Sequence, residues 1–108
     1  MVIGLNRERI TTSASNNGES YTISVNGNFD FNLVKLFRES YSGLNPVPQK
    51  IIVDLRHTDT IDSAALGMLI NMKKFLGKAD REIELQNCNQ TIKRILSIAR
   101  FDILFNID

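Results

Sequence analysis

The sequence predicts an α/β domain, and three observations predict it. The turn formers Asn16, Asn17 and Gly18 separate two segments of strand character. The β-branched run Ile51, Ile52, Val53 passes through a polar stretch into helical spacing that begins at Ser63. A second strand-to-helix change follows between Glu82 and Ala99. A hairpin followed by alternating helices and strands implies right-handed crossovers that lay the helices against a mixed sheet.

Taken in order, Ile10 to Ser15 and Tyr21 to Val25 form the strands of the hairpin. Past Gly27 the chain leaves the strand at Asn28, Phe29 and Asp30, and Asp30 or Asn32 caps a helix that carries Leu33, Leu36, Phe37 and Tyr41. Ser42 and Gly43 end that helix, and Asn45, Pro46, Val47 and Pro48 forbid its continuation. Lys50 to Leu55 then reads as a buried strand, and Arg56 to Thr60 as a polar loop. Asp62 is a good N-cap residue for a central helix from Ser63 to Leu76, which Gly77 terminates. In the next strand, Glu82 to Cys88, Ile83 and Leu85 alternate with Glu82, Glu84 and Gln86, the pattern of a sheet with one wetter face. Asn89 caps a last helix with Ile92, Ile95, Leu96 and Ala99 at the i, i+3, i+4, i+7 spacing. The tail, Phe101 to Ile107, reads as a short strand or an irregular segment packed on the core.

With 108 residues, 43% of them hydrophobic, the chain fits one domain with its core between about residues 9 and 107. Thirteen basic and 12 acidic residues leave a formal charge of +1, which provides no field for nucleic acid or for an anionic membrane. No apolar stretch approaches the roughly 20 residues that span a bilayer, and MVIGLNRERI lacks the apolar core of a secretion signal, so a cytoplasmic protein is expected. Cys88 is the only cysteine, which excludes an internal disulfide and a cysteine metal cage. It is expected to be a small buried hydrophobe ending a strand. No cofactor is called for.

The central helix sorts its residues by face. At 100° per residue, Ala65, Leu66, Leu69, Ile70, Met72 and Leu76 share a broad apolar arc, with Met68 and Phe75 at its margins. Ser63, Gly67, Asn71 and Lys74 fall on the opposite strip, where the missing side chain of Gly67 lets another protein come close beside the serine hydroxyl. Serine at a helix start serves as well to satisfy free N–H groups as to carry chemistry, so the local residues leave both readings open. Ser63, His57 and Asp54 are the residue types of a hydrolase triad. There is no GxSxG elbow, however, and no phosphate-cradling GxxxxGK[ST] or GxGxxG, so an enzyme is not expected. His57 reads as a solvated loop residue, without metal-ligand spacing. Thr58 and Thr60 read as loop hydrogen bonders rather than as sites of modification.

VDLRHTDTIDSAALGMLI, with the earlier GNFD and the later NQTIKRILSIARF, resembles the STAS domain of anti-sigma factor antagonists over about residues 19 to 107. The likeness is strongest to bacterial single-domain antagonists of the biofilm and motility switch type. It implies a STAS-type mixed sheet and a phosphoacceptor at Ser63, directly after Asp62. Asp30 would lie beside the phosphorylated loop, and Asp30, Thr60, Asp62, Ser63, Gly67, Asn71 and Lys74 would meet the partner. The implied partners are an anti-sigma factor or ATP-dependent serine kinase, bound when Ser63 is unmodified so that a sigma factor is freed, and a phosphoserine phosphatase. Asp59 and Asp62 would repel the incoming phosphate, so the kinase must bring cations such as magnesium. STAS-like subunits that dock onto membrane transporters or lipid-transport complexes are the alternative that the resemblance allows. Two features depart from the wider family. Ala64 and Ala65 stand where it often has serine and glycine, and Phe101 to Asp108 is too short for its usual final amphipathic helix.

Overall fold

The hairpin forms where the turn chemistry places it. Strands β1 (Ile10–Ala14) and β2 (Ser20–Val25) pair antiparallel, from Ile10 opposite Val25 to Ala14 opposite Tyr21. In the turn the Ser15 hydroxyl accepts from the Glu19 and Ser20 amides at 3.1 Å and donates to Asn17 Oδ1 at 2.8 Å, while Gly18 takes the left-handed φ of +74°. The computed structural model describes residues 9–77 and 81–108. The remaining elements are β3 (Gly27–Phe29), a 3-10 turn (Phe31–Leu33), α1 (Val34–Ser42), β4 (Lys50–Asp54), β5 (Thr58–Ile61), α2 (Ser63–Leu76), β6 (Glu82–Gln86), α3 (Gln90–Ile98), a second 3-10 turn (Phe101–Ile103) and β7 (Asn106–Ile107).

The main sheet has five strands in the order β1-β2-β4-β6-β7, parallel throughout except for the hairpin pair. Because the order advances one strand at a time, crossovers of a single hand put α1, α2 and α3 on the same face. Burial follows the register. Ile23, Val53 and Leu85 are aligned and sealed under the helices, whereas the alternate positions Thr22, Ile52 and Glu84 are half-exposed on the back. On that back, Lys50 and Glu84 pair at 3.4 Å, a partly exposed contact of the kind worth about 0–1 kcal/mol. Helix side chains including Phe37, Tyr41, Leu69, Met72, Ile92 and Leu96 complete one continuous core.

The structure departs from the sequence expectation in four places. Asn28 and Phe29, read as the exit from the strand, form β3 with Gly27, and Asp30 caps a 3-10 turn, so that α1 itself begins only at Val34. The stretch read as the polar loop Arg56 to Thr60 contains β5, which pairs parallel with β3 in a separate two-stranded sheet: Thr58 opposite Gly27, Thr60 opposite Asn28 and Ile61 opposite Phe29. Thr58 hides this strand from a hydropathy reading, because its side chain is buried while its hydroxyl donates to the Val25 carbonyl at 2.6 Å. The strand begun at Glu82 stops at Gln86, short of Cys88, because Asn87 turns the backbone to φ +62°. Ala99, placed on the apolar stripe of α3, is exposed. The tail proves to be both things expected of it: a 3-10 turn anchored by buried Phe101, then β7 on the sheet edge.

Candidate functional site

The short β3 and β5 strands end together and deliver their following residues to one place. The Asp62 amide donates to the Phe29 carbonyl at 3.3 Å, so Asp30 and Asp62, the residues that leave the two strands, emerge side by side. Asp30 caps the first 3-10 turn by accepting from the Asn32 amide at 3.0 Å. Asp62, in extended conformation, caps α2 by accepting from the Ala65 amide at 2.9 Å. One residue before β5 ends, the Thr60 hydroxyl donates to Asn28 Oδ1 at 2.9 Å and locks the ribbon from its outer side.

Ser63 is the first residue of α2, and it is exposed. With Asp62 occupying one of the helix's free amides, Ser63 stands at the positive end of the macrodipole, which favours an added anion by roughly 0.3–1 kcal/mol. Thr60, Asp62, Gly67, Asn71 and Lys74 are exposed as well, and Asp30 is half-buried. The residues singled out from the sequence therefore lie on accessible surface that starts at the β3–β5 ribbon and runs along α2.

Within α2, Ala65, Leu69, Met72 and Leu76 are buried, Leu66 and Ile70 half-buried, and Met68 joins the core while Phe75 stays largely exposed. The side-chain bond from Thr58 to Val25 removes that threonine from the surface. His57 is exposed, and its carbonyl accepts from the Gly27 amide at 2.8 Å. The Asp54 carboxylate accepts from the Arg56 amide at 3.0 Å and from Asn87 Nδ2 at 2.9 Å, a structural engagement at the end of β4. Burial pushes the Cys88 thiol up, with Lys93 opposing, which leaves little of the reactive thiolate. Among the described residues no helix is long and apolar enough to cross a membrane, and no group of acidic, histidine or cysteine side chains is arranged to hold a metal ion.

The cap at Asn89 was readable in the sequence, but its tie to β5 and a cation–ring contact between α1 and α2 were not. Asn89 caps α3 by accepting from the Ile92 amide at 2.8 Å, and its other side-chain atom donates to the Thr58 and Asp59 carbonyls at 3.3 and 3.4 Å. An amide side chain both accepts and donates, so Asn89 fastens α3 to β5 where an aspartate could only cap. Arg38 of α1 lies over the Phe75 ring of α2 at 6.0 Å, a contact between helices that no local pattern announces. The cap at Asp62 has a measurable consequence. Asp62→Ala is expected to lower the unfolding free energy by about 0.5–2 kcal/mol and Asp62→Ser to retain most of it, read from urea denaturation.

Comparison with known proteins places this geometry. The STAS domain family matches residues 11–108. A STAS-domain containing protein of Pseudomonas aeruginosa is 38% identical over 98 residues, which cover 91% of this chain and 97% of that protein. Among solved structures, a putative anti-sigma factor antagonist from Thermotoga maritima superposes with a TM-score of 0.78 at 21% identity, covering 91% of this chain and 84% of its own. The Bacillus cell fate determinant SpoIIAA in its phosphorylated form superposes with a TM-score of 0.70 at 16% identity, covering 92% and 90%. The structural likenesses establish the fold, and the match along nearly the whole chain establishes the kinship: this protein belongs to the STAS domain family.

Proposed function

We propose that the protein is an anti-sigma factor antagonist of the cytoplasm, a binding module switched by phosphorylation of Ser63. Unmodified, it holds an anti-sigma factor that is itself, or acts with, an ATP-dependent serine kinase, and a sigma factor is thereby freed for transcription. Phosphorylation ends the complex, and a phosphoserine phosphatase restores it. The carrying observation is the position of Ser63, exposed at the first residue of α2 directly after the Asp62 cap. There a phosphate of about −1.5 to −2 charge meets a helix start and disturbs no buried group. Structures described as anti-sigma factor antagonists, among them SpoIIAA, which is also known in a phosphorylated form, support the reading.

The acidic neighbours of the hydroxyl define what the kinase must bring. Asp62 directly precedes the acceptor and Asp30 emerges beside Asp62, so transfer requires cations from the kinase side, such as the magnesium that accompanies ATP. The test is intact-mass measurement after incubation with ATP and cytoplasmic extract of the source bacterium. One added phosphate on the natural chain and none on Ser63→Ala is expected. A phosphate that persists in Ser63→Ala, or that fragments to Thr58 or Thr60, overturns the assignment.

A further inference from the structure

Helices α1 and α2 lie side by side and run in the same direction, since each returns the chain from one parallel strand to the next. Along α2 the exposed residues Ser63, Gly67, Asn71 and Phe75 follow one another at four-residue intervals, which is one row on a helix. Val34 and Arg38 make the corresponding row on α1, with Phe31 one turn ahead. The rows meet at their far ends, where Phe75 packs on Tyr41 with ring centroids 5.6 Å apart and lies under Arg38. Their near ends are tied by the bond from Asp62 to Phe29.

The surface between these rows has the composition of a docking face. Phe31 is 69% exposed, Val34 47% and Phe75 46%, large apolar groups beyond what solitary surface residues require. Low ground lies between them, because a Cβ built on Gly67 would meet nothing within 4 Å. The two helices carry Lys35, Arg38, Lys73 and Lys74 against Glu39 alone. A chain of almost balanced total charge has thus gathered positive charge around Phe75, at the end of this face away from Asp30 and Asp62.

We infer that this face receives an amphipathic helix of the partner, its apolar side on Phe31, Val34 and Phe75 and its carboxylates toward Arg38 and Lys74. The inference rests on the partner-switching role proposed above and adds the occupant and its chemistry. It also gives the switch a direct electrostatic cause, since a phosphate on Ser63 adds negative charge to the row that an acidic helix occupies.

The test uses the isotope-labelled full chain and a defined probe: a synthetic amphipathic helix with leucine along one face and glutamate on the other. Amide shifts confined to α1, α2 and the turn before α1 are expected. Arg38→Glu with Lys74→Glu should weaken binding at least tenfold, as should Gly67→Trp, whose side chain enters open space and blocks the face. Lys93→Glu with Arg94→Glu, on α3, should leave it unchanged. Circular dichroism verifies that each variant folds, and the charge reversals stand as an independent test if Gly67→Trp does not. The inference is overturned if the probe fails to bind, if the same peptide with lysine for glutamate binds as well, or if the shifts fall on α3. Unmodified protein is used throughout, so a failure here is distinct from a failure of Ser63 to accept phosphate.

Discussion

Ser63→Asp is expected to lose the partner that Ser63→Ala keeps. Placing a charge at a packed protein interface, or facing it with a like charge, costs several kcal/mol, and about 1.4 kcal/mol is a tenfold change in affinity. A difference of at least about 100-fold in dissociation constant follows. The folded state should hardly register either substitution, because the Ser63 side chain is exposed and the cap at Ala65 comes from Asp62. Affinity capture with the two variants side by side, followed by titration of the retained protein, gives the comparison. Equal affinities would refute the charge switch. Aspartate carries about half the charge of a phosphate, so the measured ratio is a lower bound on the effect of modification.

The second large effect belongs to Phe29. This residue ends β3, is fully buried, and lies against Phe37 with ring centroids 5.1 Å apart. Phe29→Ala removes that packing and leaves a cavity, for a cost of about 3–5 kcal/mol. Against the roughly 5–15 kcal/mol of a typical domain, that is a large share of the total stability. The urea midpoint should fall steeply, with Phe29→Leu in between, and an unchanged midpoint would contradict the packing described. Its carbonyl also accepts from Asp62, so a loosened β3 would release one of the ties that set the entry of α2. Weaker partner binding should accompany the loss of stability.

The legible and illegible parts of this fold separate along physical lines. Helix α2 was readable because its cap, its apolar spacing and Gly77 are all written locally between Asp62 and Gly77. Strands β4 and β6 were readable because buried parallel strands are β-branched or strictly alternating. Strand β5 was not, because what makes TDTI a strand is pairing with Gly27–Phe29, some thirty residues earlier, and a threonine hydroxyl that finds its partner on Val25. The candidate site divides in the same way. Ser63, Gly67, Asn71 and Lys74 are related by helical spacing on a single element, whereas Phe31, Val34 and Arg38 join them only through the packing of α1 on α2.

Among the described residues all three helices cover the same side of the sheet and no element covers the reverse of the parallel strands, an uncommon condition for such strands. Thr11, Thr22 and Ser24 alternate with core residues on β1 and β2 and keep that surface wettable. Exchanging a few of those hydroxyl groups for methyls would convert the reverse into a broad greasy plane, the kind on which molecules stack and precipitate. On this reverse face the wettable character is thus held by short hydroxyl side chains, remote from the edge that presents Ser63.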